Sequence, residues 1–464
     1  MKSYMRRGFQ TAVSLAYKAN GLDVFGKYSW LQKTLTWPLH QRRDWQLQRV
    51  NVIMQFAWDH VPFYREYWGD HGVAYKPLDT MDELQAYPIL TKDIFRSNSR
   101  NICPDNLQTI RYKPWHTGGT TGQPVHYFRD MEQWIIAEAF HLWGWSQLGY
   151  KFGDPIGVIA GGSLVPERGK LSSHIRGLMH RRLFLYGVAM DRAIARDYCE
   201  KLQKHGTQYL YGYPSVLYLF GKHLSDLGMS LPDLKAVVTT AEMLQPRYRE
   251  GIENAFRVRV FNNLGCNDGG YESYECSRHD GLHYNDLQSV LEVDSADQKK
   301  EGRLLITNLW NRSTPFIRYE NGDIISLRDQ PCPCGCAFPL INSIQGRTAD
   351  ILTFANGRSL AGPALTLIFG AMEIDGWQIV QTSPSQLEVR ISSQSDIKPE
   401  YKDHINTVLK RYLDDVKIII KRVDKLKTTK GGKWKPIWTE VGSESASSGS
   451  EESLRNEGHE NNRI

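Results

Sequence analysis

Residues 207–240, TQYLYGYPSVLYLFGKHLSDLGMSLPDLKAVVTT, carry the pattern that decides the fold. A short β-rich run (TQYLYGY) gives way to a helical stretch (SVLYLFGKHLSDLG) and then to a second β-rich run (LKAVVTT). The alternation extends outward on both sides. PIGVIA (155–160) and the helical RAIARDYCEKLQKH (192–205) precede it, and the helical PRYREGIENAF (246–256) and RVRVFNN (257–263) follow. Strands alternating with helices of this length predict βαβ units, hence an α/β domain with a mainly parallel sheet covered by helices.

Toward the N-terminus the pattern is helical: residues 41–59 place Trp45, Val50, Ile53, Met54 and Ala57 near helical spacing, and a second helix is predicted from Met131 to Leu148. The first 21 residues, MKSYMRRGFQTAVSLAYKANG, begin like a secretory signal. Gln10, Thr11, Ser14 and Lys18 break the apolar stretch, so an amphipathic helix is predicted instead. After Gly281 helices give way to the strand-like runs SVLEV, GRLLITNLW and DIISLRD, a β-rich subregion over 270–345. From about Asp350 a small α+β unit is predicted: a turn at Asn356–Gly357, strands WQIVQT and QLEVRIS, the helix EYKDHINTVLKRYL and the strand VKIIIKRV. The division expected is a large domain over 1–349, a small one over 350–440 and a disordered polar tail over 441–464, with no fixed-period repeat.

With 464 residues, 41% hydrophobic and 23% charged, the chain has apolar mass for several domains. Its net charge of +6 is a mild excess, which argues against a nucleic-acid partner. No apolar run approaches the ~18 residues of a membrane span, so a cytoplasmic protein without a transmembrane segment is expected. Seven cysteines is an odd number, and three of them crowd into Cys332, Cys334 and Cys336. That distribution argues for a metal site over a disulfide framework.

The chemistry centres on Trp115-His116-Thr117-Gly118-Gly119-Thr120-Thr121-Gly122-Gln123-Pro124. Three glycines turn backbone amides toward one concave site and three threonines add hydroxyls, a composition suited to phosphate oxygens. The Lys-Ser/Thr pair of a Walker A loop is missing. Here the chain resembles the adenylate-forming enzymes, in particular the phenylacetate-CoA ligase-like branch that includes capsular polysaccharide biosynthesis homologues. HVPFYREYW, PILTKDIFRSN, YGYPS, TTAEML, LGCNDGGYESYEC, FIRYENGD, CPCG, IQGRTAD and KGGKWKPI follow that branch's order over about residues 55 to 440.

The resemblance implies an ATP-dependent ligase that joins a carboxylate to the α-phosphorus of ATP, releases pyrophosphate and passes the acyl group to a thiol such as CoA. An acceptor such as a sugar amine or carrier, as in polysaccharide synthesis, is the alternative, and a catalytically weakened nucleotide-binding scaffold is a third reading. It also implies site residues. Thr117 to Gly122 would hold the phosphates. Asp323 would bind the ribose hydroxyls, as an acceptor-only carboxylate suits, and Arg347 would contact ribose or phosphate. Asn267 and Asp268 occupy the motif whose acid binds Mg²⁺. Ala241 and Glu242 would flank adenine, unless Glu242 only caps the helix that follows. Lys433 would reach the α-phosphate and substrate carboxylate from a mobile C-terminal lobe. Cys276, His283, Cys332 and Cys334 would hold a structural zinc, with Cys336 or His279 as substitutes. Four positions depart from the family pattern: Gln123 for a lysine, Leu264 for an aromatic, Asp268 for glutamate, and Ala349 for the hinge carboxylate, with Asp350 adjacent to it. Tyr211, Tyr213, Trp143 and Trp145 are acyl-pocket candidates, though aromatics at such positions usually belong to the core.

Overall fold

The computed structural model describes residues 3–116, 125–161, 164–165, 177, 180–187, 189–295, 301–345, 351–355, 359–361, 368–369, 372, 374, 376–393, 395–411, 413, 415–427 and 437–441. The glycine-threonine loop, Arg347, Ala349 and Asp350, the Asn356–Gly357 turn, Lys433 and most of the polar tail lie outside this set.

The N-terminal segment is helical: α1 (Ser3–Ala19), α2 (Val24–Thr34), α3 (Leu39–His60), α4 (Pro62–Asp70) and α5 (Lys92–Ser97). The amphipathic reading of α1 holds, for Val13 is buried, Phe9 stacks on Phe152 and the Tyr17 hydroxyl meets His180 Nε2 at 2.6 Å. A hairpin, β1 (Tyr112–His116) and β2 (His126–Asp130), then leads into α6 (Met131–Ser146), whose first turn is capped by Asp130. No helix among the described residues is long and apolar enough to cross a membrane.

The predicted βαβ alternation forms as read. Strands β3 (Ile156–Ala160), β4 (Arg182–Tyr186), β6 (Tyr209–Gly212), β7 (Ala236–Thr239) and β8 (Arg259–Cys266) are parallel to their neighbours in the order β4-β3-β6-β7-β8. The two-residue β5 (Ala189–Met190) lies outside this sheet. Helices α7 (Arg192–His205), α8 (Pro214–Leu227) and α9 (Pro246–Phe256) make the connections. Their ends follow local chemistry: Asp191 accepts from Ile194 N at 2.8 Å, proline opens α8 and α9, and Gly206 and Gly228 close α7 and α8 in the left-handed conformation. Strands β3, β6 and β7 are buried along their whole length, as the unbroken apolar runs require.

The β-rich subregion forms as expected, and it is continuous with the parallel sheet. It does not form a sheet of its own. β8 pairs in parallel with β7 on one edge and antiparallel with β9 (Tyr271–Glu275) on the other. The ladder then runs on through β10 (Leu282–Tyr284), β14 (Leu340–Gln345), β13 (Tyr319–Arg328), β12 (Glu301–Asn308) and β11 (Ser289–Asp294), giving one sheet of eleven described strands. The eight residues of β8 let its two ends serve two partners.

Beyond this sheet, β15 (Ile351–Thr353) pairs with β16 (Ser359–Ala361), which pairs in turn with β5. The strands β17 (Gly376–Ser383), β18 (Gln386–Ser392), β19 (Lys417–Val423) and β20 (Ile437–Thr439) form a separate sheet, with α10 (Pro399–Lys410) beside it. This unit agrees with the predicted elements to within a few residues.

Candidate active site

Strand β8 ends in Leu264-Gly265-Cys266, and the chain reverses through Asn267-Asp268-Gly269-Gly270 into β9. Gly269 and Gly270 take φ of +90° and +70°, which glycine adopts without strain. The turn is nailed in place by donors converging on its carbonyls: Asn308 Nδ2 gives to Gly269 O at 2.9 Å, while Gln288 Nε2 and Ser289 Oγ give to Gly270 O at 2.9 and 2.8 Å. A β-carbon on Gly270 would fall 2.4 Å from Gln133 Nε2. The outcome is a buried Asp268 with a fixed orientation and an exposed Asn267 beside it.

Two other motifs meet Asp268. Its Oδ2 accepts from the Tyr319 hydroxyl at 2.9 Å, and Lys92 Nζ stands 3.5 Å from the same oxygen; the Cys266 thiol lies 2.8 Å from the Asp268 carbonyl oxygen and 3.0 Å from Oδ1. Lys92 opens α5, and Tyr319 opens β13. These elements are pinned to each other by Leu90 N donating to Arg318 O and Glu320 N donating to Leu90 O, both at 3.0 Å. PILTKDIF, LGCND and RYENGD therefore converge on one spot, though 51 to 227 residues separate the pairs Asp268–Tyr319 and Lys92–Tyr319. Two more buried tyrosines lie around it, Tyr127 and Tyr271, with hydroxyls that find no partner among the described residues. Burial, with the nearby acids, drives both phenols well above their usual range. Asp323 acts electrostatically on Tyr271 and is oriented by Asn321, whose Nδ2 donates to its Oδ2 at 2.6 Å.

The carboxyl ends of β7 and β8 frame a cavity of about 330 Å³, where open α/β sheets place their ligands. Glu242, Met243, Leu244, Asn262, Leu264, His279 and part of β14 line it. Ala241 reaches φ +64°, a left-handed conformation for a residue with a side chain, and turns the chain along this wall. Glu242 does not cap the helix that follows it. Its Oε1 and Oε2 accept from Ser215 Oγ at 2.7 Å and Ser215 N at 3.0 Å, so it satisfies the first turn of α8, which precedes it in the chain. Burial pushes the Glu242 carboxyl up to about 7, against the lowering from the Ser215 hydrogen bonds.

A second cluster lies where β9, β10 and the 332–338 segment meet. Ligand atoms of Cys276, His283, Cys332 and Cys334 all fall within 4.8 Å of one another. Cys276 and Cys332 sulfurs are 3.8 Å apart, and Cys334 Sγ is 3.3 Å from His283 Nε2. His283 Nδ1 is 2.8 Å from Phe338 O, the arrangement that leaves Nε2 as the free ligand atom. Three thiols and one imidazole in this disposition can hold a tetrahedral zinc. The proposed substitutes are engaged elsewhere: Cys336 Sγ accepts from Phe338 N at 3.4 Å, and His279 Nδ1 lies 3.1 Å from Glu275 Oε2.

Tyr211, Tyr213, Trp143 and Trp145 are buried, and the Trp145 ring packs edge-on to Tyr211. Lys92 and Tyr319, like Tyr127 and Tyr271, are site residues to which the sequence assigned no role. Both lay inside quoted motifs, but only the Leu90–Tyr319 bridge brings them to Asp268.

No protein-family model matches the chain. It is 23% identical over 398 residues to Protein CapK of Staphylococcus aureus, across 84% of this chain and 87% of that protein. It is 24% identical over 354 residues to a phenylacetate-coenzyme A ligase of Thermus thermophilus, across 68% of this chain and 73% of that one. Among solved structures, 2-hydroxyisobutyryl-CoA ligase in complex with 2-HIB-AMP and CoA superposes with a TM-score of 0.58 at 20% identity, covering 88% of this chain and 91% of that one. The structural likeness is one of fold. The chain is thus similar in sequence to CapK and the phenylacetate-coenzyme A ligases, and it shares its fold with the 2-hydroxyisobutyryl-CoA ligase.

Proposed function

We propose that this protein is an ATP-dependent acid–thiol ligase, which activates a carboxylic acid as an acyl-adenylate and passes the acyl group to a thiol such as CoA. The observation that carries the reading is the convergence of Lys92, Asp268 and Tyr319, from three separate motifs, just past the end of β8, whose Asn262 and Leu264 line the cavity. A carboxylate approaching a triphosphate meets strong repulsion, and preorganised cations and donors are what offset it. The phenylacetate-coenzyme A ligases and the 2-hydroxyisobutyryl-CoA ligase it resembles carry names of this chemistry.

In this reading the cavity takes the nucleobase, Asp323 the ribose hydroxyls, and Thr117, Gly118, Gly119, Thr120, Thr121 and Gly122 the phosphates. Asp268 supplies one hard carboxylate, which is what Mg²⁺ arriving with nucleotide phosphates requires of a protein. Lys92, held 3.5 Å from Asp268, adds a cation to the site. Arg347 contacts ribose or phosphate, and Lys433, on a lobe that moves between half-reactions, neutralises the attacking carboxylate. Cys276, His283, Cys332 and Cys334 hold a structural zinc that closes the corner between β10 and the 332–338 segment.

Incubation with ATP, Mg²⁺, CoA and a panel of carboxylic acids tests the reading by its products. AMP, pyrophosphate and an acyl thioester are expected for at least one acid. Formation of AMP with an amide or ester in place of the thioester would move the reading to a sugar-amine or carrier acceptor. ADP, or no ATP consumption with any acid, would overturn it.

A further inference from the structure

Charge is spread unevenly along the chain. Residues 1–50 carry nine Lys or Arg against two Asp, while the other 414 residues carry 48 basic and 49 acidic side chains, so the whole basic excess belongs to the N-terminal helices. Arg42 is neutralised by Asp286, and α1 holds three of the nine with no acid.

The same segment exposes an apolar turn. Between α2 and α3 the chain runs Leu35-Thr36-Trp37-Pro38-Leu39, where Thr36, Pro38 and Leu39 are exposed, Leu39 at 61%, and Trp37 is half-buried. A lone exposed leucine means little. This one adjoins a cluster of four half-buried tryptophans, in which the Trp30 ring lies 6.1 Å from Trp37, 5.4 Å from Trp45 and 6.2 Å from Trp310. Lys27 and Arg49 stand over the Trp310 ring at 4.4 and 4.7 Å from its centre. Exposed Lys33 and Arg43 flank the turn, with Asp44 as the adjoining acid. The turn is also held in shape. Trp37 N donates to Thr34 O at 3.1 Å, Arg42 Nη1 donates to the same oxygen at 2.9 Å, and Arg42 is itself bound to the buried Asp286. A surface set before anything binds has little ordering left to lose on docking.

Tryptophan beside an apolar tip, rimmed by lysine and arginine, is the chemistry that suits the boundary between water and an anionic bilayer, where the ring rests among the headgroups and the cations meet lipid phosphates. We propose that the turn between α2 and α3 docks this protein on an anionic lipid surface, with Trp37 and Leu39 entering the headgroup layer and Lys33, Arg43 and the basic N-terminal helices supplying the attraction. This goes beyond the proposed function and stands independently of it.

The test is flotation of the full chain with vesicles of phosphatidylcholine alone and of phosphatidylcholine mixed with phosphatidylglycerol. Binding to the anionic vesicles is expected to be stronger by about tenfold or more, and to fall by about that factor as salt rises from about 0.05 to about 0.5 M. Leu39→Asp and the pair Lys33→Glu with Arg43→Glu, all at exposed positions, should each weaken it by about tenfold at an unchanged melting temperature. Equal binding to both vesicles, binding to neither, or binding that both variants retain would overturn the proposal. So would a dimer that forms in place of vesicle binding and is dissociated by Leu39→Asp, which would assign the turn to a second copy of the chain.

Discussion

At the scale of single residues, the site is an arrangement of charge around Asp268. Replacing it by asparagine keeps the size, removes the charge that faces Lys92, and is expected to lower acid-dependent ATP turnover by about 10²–10³-fold. Turnover within twofold of wild type would remove Asp268 from the chemistry. Lys433→Ala is expected to abolish adenylation while ATP binding, measured by calorimetry, persists. Glu242 gives a pH signature. Its carboxyl titrates at about 7 in the fold against an ordinary 4.5, so between those values the folded protein keeps a proton that the unfolded chain has released. Stability therefore declines as pH rises through that window, by up to about 3 kcal/mol. Glu242→Gln should flatten this slope in nucleotide-free urea unfolding at pH 5 and pH 8; identical slopes in both proteins would refute the assignment. Asp268 and Asp323 could be named from sequence only because the motifs of the family resemblance carry them. The partnership of Lys92 with Asp268 was not, since it exists only through a strand bridge between positions 90 and 319.

At the scale of elements, the N-terminal helices are fastened to the β-rich half by a buried ion pair. Arg42 of α3 binds both carboxylate oxygens of Asp286, and also donates to Thr34 O at 2.9 Å. Arg42→Ala leaves Asp286 buried and unpaired, at an expected cost of about 3–5 kcal/mol in chemical denaturation. The exposed Lys201–Asp197 pair of α7, broken as a control by Lys201→Ala, should cost under about 0.5 kcal/mol. The Cys276, His283, Cys332 and Cys334 cluster is the proposed second fastening. Purified protein should carry about one zinc per chain, and Cys332→Ser should lose it together with several degrees of melting temperature. A zinc-free protein of undiminished stability would remove the metal. Helices and strands were readable from periodicity, and the three cysteines from their crowding. What periodicity does not encode is that β8 is shared, because the partner on each edge of a strand is a property of tertiary pairing.

At the scale of the whole molecule, the fold is one long sheet whose parallel half changes to an antiparallel half at β8, and the candidate site sits at that junction. The central claim is that this junction activates carboxylates with ATP, and the reverse half-reaction tests it most directly. Radiolabelled pyrophosphate should be incorporated into ATP only when a suitable carboxylic acid is present, and the Lys433→Ala variant should show no incorporation. A wild-type protein that exchanges no pyrophosphate with any acid of a broad panel, while remaining folded, would contradict the claim.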